Sequence, residues 1–167
     1  WFNVEALCAE DQPLKAADGL PATQHRFERR DLFAVEAALA SRRPLLIRGE
    51  PGTGKSQLAR AVAKVLGWEF RWRVVDAHTE IADLFYTFDA VERLARAQVA
   101  GALEVGPGKI DEAALKEMLA VDKFVRPELL WWALDWQTAN DQQKLHPRRC
   151  EAPSPARVPA GCVVLID

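Results

Sequence analysis

At 167 residues the chain can carry one domain with a proper core, and 49% hydrophobic against 28% charged residues describe a globular protein. A formal net charge of −2 supplies no global field for nucleic acid or an anionic membrane, and the longest apolar runs fall far short of the roughly 20 residues a membrane span needs. Three cysteines, Cys8, Cys150 and Cys162, are odd in number and widely spaced, which fits a reducing cytoplasm better than a disulfide framework.

Residues 1–24 are mixed in character and end in "DGLPATQ", the composition of a linker, so the folded domain is expected over 25–167. The chain starts at Trp1 rather than Met, which leaves room for an upstream part. From Asp31 to Ser41, "DLFAVEAALAS" places Leu32, Val35, Ala38 and Leu39 on one helical face, with Asp31 able to cap it. "PLLIRG" then reads as a short buried strand. Lys55–Leu66, "KSQLARAVAKVL", is a second amphipathic helix, with Gly67 as its stop. In "WEFRWRVVD", Phe70, Trp72 and Val74 alternate with Glu69, Arg71 and Arg73, as in a strand near a sheet edge.

Between Glu80 and Gln98 the apolar residues Ile81, Leu84, Phe85, Phe88, Val91, Leu94 and Ala95 fit a single helix. Gly101–Gly108 reads as a turn or hairpin. "DEAALKEML" is a short helix opened by Asp111, and "PELLWWALDWQTA" is another, with Pro127 suited to its first turn. Trp131, Trp132 and Trp136 in that helix form a bulky cluster, either core or a contact surface. Asn140–Gly161 is polar and proline-bearing, as in a long loop. His146 and Cys150 stand four apart there, but Pro147 separates them and no second pair follows, which is a poor zinc signature. The last element, "CVVLI", is a buried strand closing on Asp167. Helices and strands in this order predict an α/β fold with a parallel sheet.

One motif carries chemistry. "GEPGTGKS", Gly49–Ser56, matches the phosphate-loop pattern G-x-x-x-x-G-K-S/T in full, with an apolar run before it and a helix starting at the lysine. Gly49, Gly52 and Gly54 let the backbone bend and approach phosphate oxygens closely. The backbone N–H groups of residues 52–56 then surround the phosphates, and the helix N-terminus adds its partial positive charge. The cofactor expected is Mg²⁺-ATP, contacted by Gly49, Glu50, Pro51, Gly52, Thr53, Gly54, Lys55, Ser56 and Gln57. Lys55 reaches the β- and γ-phosphates and Ser56 holds the metal. Such a site needs a second acid at the end of another apolar strand, and Asp167, closing "CVVLID", is placed to be that acid beside the Mg²⁺.

"RPLLIRGEPGTGKSQLARAVAKVLG", "VVDAHTEIADLFYTFDAVERL", "WWALD" and "CVVLID", in that order over about residues 30–167, resemble the MoxR-like AAA+ ATPases. The phosphate loop is common to many families; "TEIADLFYTFDAVERL" is the more family-specific part. The resemblance implies a P-loop NTPase built as a three-layer sandwich around a parallel sheet of order 5-1-4-3-2. It also implies a homo-oligomeric ring, usually a hexamer, that hydrolyses ATP to remodel or activate protein clients, often ones with a von Willebrand factor A domain. Lys55 and Asp167 match its catalytic Walker A lysine and Walker B aspartate. The Walker B glutamate, the sensor-1 residue, the arginine finger and strand four would all follow residue 167, so hydrolysis is expected of the complete protein. Strands one and three, "LLIR" and "CVVLI", are then expected to leave a gap or close up non-natively, with edges prone to association. His25 and Phe27 stand where AAA+ proteins often place adenine contacts, and His78 and Thr79 follow strand two in a loop. Arg29, Arg30, Arg42 and Arg43 make either a solvated face or a subunit contact. The alternative within the fold is a nucleic-acid motor or loader, which no basic aromatic surface supports, and an alternative of a different class is a nucleotide-gated scaffold.

Overall fold

Fifteen short elements follow one another in the computed structural model, which describes residues 2–16, 19–103, 111–146 and 158–167. In chain order they are α1 (Val4–Ala9), β1 (Gln12–Leu14), β2 (Thr23–His25), α2 (Arg29–Ser41), α3 (Lys55–Leu66), β3 (Glu69–Arg73), α4 (Ile81–Phe85), β4 (Tyr86–Phe88), α5 (Ala90–Leu103), α6 (Glu112–Met118), a 3-10 turn (Val121–Phe124), β5 (Val125–Pro127), α7 (Leu129–Leu134), α8 (Trp136–Leu145) and β6 (Cys162–Ile166). The chain divides into two units, Trp1–Phe70 with Ala160–Leu165 and Asp167, and Arg71–Pro159 with Ile166. No helix among the described residues is long and apolar enough to cross a membrane.

In the first unit, Leu58, Ala61 and Val62 of α3 pack with Leu32 and Val35 of α2 and with Leu14 and Phe27. Helical spacing puts each set on one face, and burying those faces against each other stabilises two helices that would be marginal alone. Helix α3 ends where Gly67 turns left-handed at φ 65°. There the Gly67 and Trp68 amides reach back to the Lys64 and Ala63 carbonyls at 3.2 and 2.9 Å. Helix α2 starts at Arg29 with Glu28 as its N-cap, so Asp31 lies in the first turn, where the helix dipole favours a carboxylate, and is not the cap.

The stretch expected to be a linker contributes α1, β1 and the buried Leu14 to this core. Strands β1 and β2 pair antiparallel, from Gln12 opposite His25 to Leu14 opposite Thr23. Two cations of α3 hold the chain around this pair. Arg60 donates to the Lys15 and Pro21 carbonyls at 2.6 and 3.1 Å, and Lys64 donates to the Pro13 carbonyl at 2.9 Å.

Strand β3 pairs with β6. The Glu69 amide donates to the Gly161 carbonyl at 3.0 Å, so both strands begin at the same end and run parallel. The parallel sheet implied by the sequence is present as this pair; the other two pairs, β1–β2 and β4–β5, are antiparallel. The expected strand at "PLLIRG" is not observed: Pro44–Gly49 take no regular structure, and Leu46 is 75% exposed. A strand needs a ladder partner, and no described strand pairs with this run.

The second unit corrects the single helix expected over Glu80–Gln98. Tyr86–Phe88 leave the helical path to pair antiparallel with Val125–Pro127, and Asp89 restarts the helix by accepting the Glu92 amide at 2.9 Å. A ladder thus overrides helical spacing. Pro127 ends β5 instead of opening a helix, since Glu128 caps α7. The helix read over "PELLWWALDWQTA" divides at Asp135, whose carboxylate accepts the Thr138 amide at 3.1 Å and caps α8. Helix α8 then runs to Leu145, into the stretch expected to be loop; residues 147–157 of that loop, Cys150 among them, and most of the expected Gly101–Gly108 hairpin lie outside the described residues. Trp132 and Trp136 are buried and meet edge-on at 4.8 Å, so these two of the three tryptophans are core, with Trp131 partly buried against them.

Candidate functional site

The loop before α3 bends through two left-handed glycines, Gly52 at φ 82° and Gly54 at φ 84°. An L side chain there would cost about 1–2 kcal/mol in each case. At Gly49 an added Cβ would stand 3.2 Å from Thr53 Oγ1, close enough that the threonine side chain would have to give by a few tenths of an ångström. Thr53 closes the turn by donating from Oγ1 to the Glu50 carbonyl at 2.9 Å. Helix α3 begins at Lys55 with Gly54 as N-cap, and a glycine offers no side chain to cap its first N–H groups.

Lys55 curls back over its own loop, where its Nζ donates to the Gly49 and Glu50 carbonyls at 3.0 and 2.7 Å. Ser56 Oγ donates to Asp167 Oδ2 at 2.9 Å, joining residues 111 positions apart. An open cleft of about 430 Å³ is lined by Pro51, Gly52, Gly54, Lys55, Ser56, Gln57 and Asp167. The structure therefore brings together the lysine, the hydroxyl and the acid that the sequence placed at opposite ends of the chain.

A second cleft of about 420 Å³ shares Gly54 and Lys55 and is lined also by His25, Leu45, Ile47, Arg48 and Gly49. Of the two residues expected near a base, His25 lines this cleft, while Phe27 is only 2% exposed and belongs to the core. The His25 ring stands edge-on to Phe27 at 4.9 Å, and its Nε2 is buried with no hydrogen-bond partner among the described residues. Burial pushes the His25 pKa below the usual histidine value, partly countered by the charge of Asp31 and a hydrogen bond with Gln57. Gln57 also donates from Nε2 to Thr23 Oγ1 at 3.2 Å, which ties α3 to β2.

Two contributors escape a reading of the sequence. Thr23 lay in the presumed linker, and Arg48 had no signal beyond its place next to Gly49. Arg30, which lines the second cleft, is held by Glu28 at 2.9 Å. In the second unit, His78 and Thr79 organise their own loop: Asp76 Oδ1 accepts from the His78 amide and the Thr79 hydroxyl, both at 2.9 Å. Those bonds, the His78 amide first, hold the Asp76 carboxyl below the usual range.

No group of three or more His, Cys, Asp or Glu side chains that could hold a metal by themselves occurs among the described residues. A hydroxyl and one carboxylate are hard oxygen donors in the small number that suits Mg²⁺, which keeps several waters and leans on phosphate oxygens. The bent backbone, the unfilled space around Gly52 and these donors fit a metal-bound nucleoside triphosphate.

Residues 44–128, just over half of the chain, match the family model described as AAA domain, dynein-related subfamily. The matched span contains the glycine-rich loop, α3 and β3–β5. No curated protein and no solved structure matches the chain.

Proposed function

The chain belongs to the dynein-related subfamily of AAA domains, and from that premise we propose that it binds Mg²⁺-ATP between the Gly49–Ser56 loop and Asp167. The family carries the P-loop α/β fold and supports ATP binding and hydrolysis as the general activity. The assignment to particular residues rests on one observation above the rest: Ser56 and Asp167 meet at 2.9 Å beside Lys55.

In this reading the backbone of Gly52–Ser56 wraps the phosphates, with Glu50, Pro51 and Thr53 holding the loop's shape. Lys55 exchanges its two carbonyl partners for phosphate oxygens. Ser56 and Asp167 would hold the metal through their oxygens, the hydroxyl offering a lone pair and the acid a negative charge. Bound Mg²⁺ neutralises phosphate charge. Gln57 of α3, bound to Thr23, and His25 of β2 flank the loop, and the cleft beside His25 and Arg48 receives the nucleoside. Hydrolysis, a three-layer module, assembly into a ring and MoxR-like remodelling of protein clients are proposed for the AAA assembly that contains this chain. AAA domains commonly form such rings, which supports that part of the reading.

Calorimetric titration with ATP, with and without Mg²⁺, tests the metal side. Wild-type binding is expected to tighten with Mg²⁺, and Asp167→Asn is expected to remove most of that gain while leaving metal-free binding in place. An equal Mg²⁺ effect in both proteins would show that Asp167 does not face the metal.

A further inference from the structure

A small hollow in the second unit is lined by a cation, Arg71, that forms no ion pair among the described residues. Arg71 of β3 lays its guanidinium against two indoles, with Cζ 4.7 Å from the Trp132 ring centroid and 5.0 Å from that of Trp136. Both indoles are buried, and Trp132 is pinned further by its Nε1–H, which donates to the Pro127 carbonyl at 3.1 Å. Stacking on aromatic faces offsets part of the cost of half-burying the cation, but it uses none of the guanidinium N–H groups. Arg71 Nε is buried with no hydrogen-bond partner, and Arg71 forms no ion pair among the described residues.

The acid that lines the same hollow is already committed. Glu128 Oε2 accepts from Arg73 Nη1 at 3.2 Å, and Oε1 accepts from Thr87 Oγ1 at 2.8 Å. Two arginines against one glutamate leave the described lining of the hollow with a net charge of one positive unit. Its volume is about 110 Å³, with Pro127 and Leu129 as apolar walls. That is room on the order of three or four waters.

We propose that this hollow binds one carboxylate, presented by an acidic side chain of a polypeptide partner. The charge matches a monoanion. The flat fork of arginine donors matches the planar carboxylate, and the Pro127 and Leu129 walls accept the methylene that carries it. The site lies wholly within the second unit and stands independently of the nucleotide reading.

Heteronuclear NMR of the full chain tests it, following the Arg71 Nε–H and Trp132 Nε1–H resonances. Sodium acetate is titrated in, with sodium chloride holding ionic strength constant. Saturable shifts of both signals are expected, with half-saturation on the order of tens of millimolar, as for one small ionic contact. Glu128→Gln frees the second cation and is expected to tighten acetate binding about threefold or more. Arg71→Lys loses the fork and is expected to weaken it about fivefold or more, read at Trp132. A linear drift equal to that with chloride overturns the site. Saturation by inorganic phosphate at lower concentration than by acetate overturns the carboxylate assignment. The wild-type titration decides both points even where a variant fails to fold.

Discussion

Replacing Lys55 by alanine perturbs both the empty and the occupied loop, and the balance can be worked from its contacts. In the ligand-free chain Nζ holds two backbone carbonyls at 3.0 and 2.7 Å, at a partly exposed position. Bonds from a charged donor contribute about 1.5–3 kcal/mol each when well buried and less where water competes. ATP binding exchanges these two for bonds to charged phosphate oxygens, which are roughly twice as strong as neutral ones. The variant loses the stronger pair from the complex and the weaker pair from the free chain, a net loss of about 1–3 kcal/mol. That corresponds to about 5- to 150-fold weaker ATP binding. Folding should change little, because the two lost bonds lie at the surface of a glycine-rich loop. Calorimetric titration of wild type and Lys55→Ala with ATP and Mg²⁺ measures the difference, and circular dichroism checks the fold. Affinities within twofold of each other would refute a phosphate contact by Lys55. A folded wild-type chain that binds no ATP would refute the claim that the clefts around Lys55 are competent as they stand.

Three further outcomes follow from single positions. A Cβ on Gly161 would stand 2.5 Å from Trp68 Cδ2 and 2.7 Å from Cε2, and a rigid indole cannot bend away. Gly161→Ala should therefore cost about 1–3 kcal/mol in urea unfolding, and Trp68→Leu in the same chain should recover part of it; additive effects would show that the two do not touch. Arg42 ends α2 in the left-handed region at φ 54°, so Arg42→Gly should stabilise by about 0.5–1 kcal/mol; a lower urea midpoint would contradict this. Burial holds the folded His25 pKa below its unfolded value of about 6.5. Its contribution to stability is complete above that value and is lost as pH falls through it toward the lowered folded value. Urea midpoints between pH 5 and 8 should slope less for His25→Gln than for wild type, and equal slopes would count against the burial argument.

The glycine-rich loop, α3 and the apolar strand ending in Asp167 were legible from residues alone because each rests on local chemistry. Positive-φ glycines, a helix with one apolar face and a β-branched run need no distant partner to be recognised. What failed locally failed wherever a partner was required. Leu45–Ile47 has the composition of a strand but no ladder partner among the described strands. Tyr86–Phe88 has helical spacing, yet its N–H and C=O groups pair with Val125–Pro127. Residues 12–14 and 23–24 look like linker, but β1 and β2 pair with each other and bury Leu14 against α3. By itself, the sequence determined that this chain carries a loop of the phosphate-binding pattern and an apolar strand that closes on an acid. Only the tertiary structure decided that Ser56 and Asp167, 111 residues apart, stand at hydrogen-bond distance, and that Arg71 sits against two tryptophans with no ion pair among the described residues. Pairing and burial are properties of chain segments meeting in space, and no local pattern encodes which segments will meet.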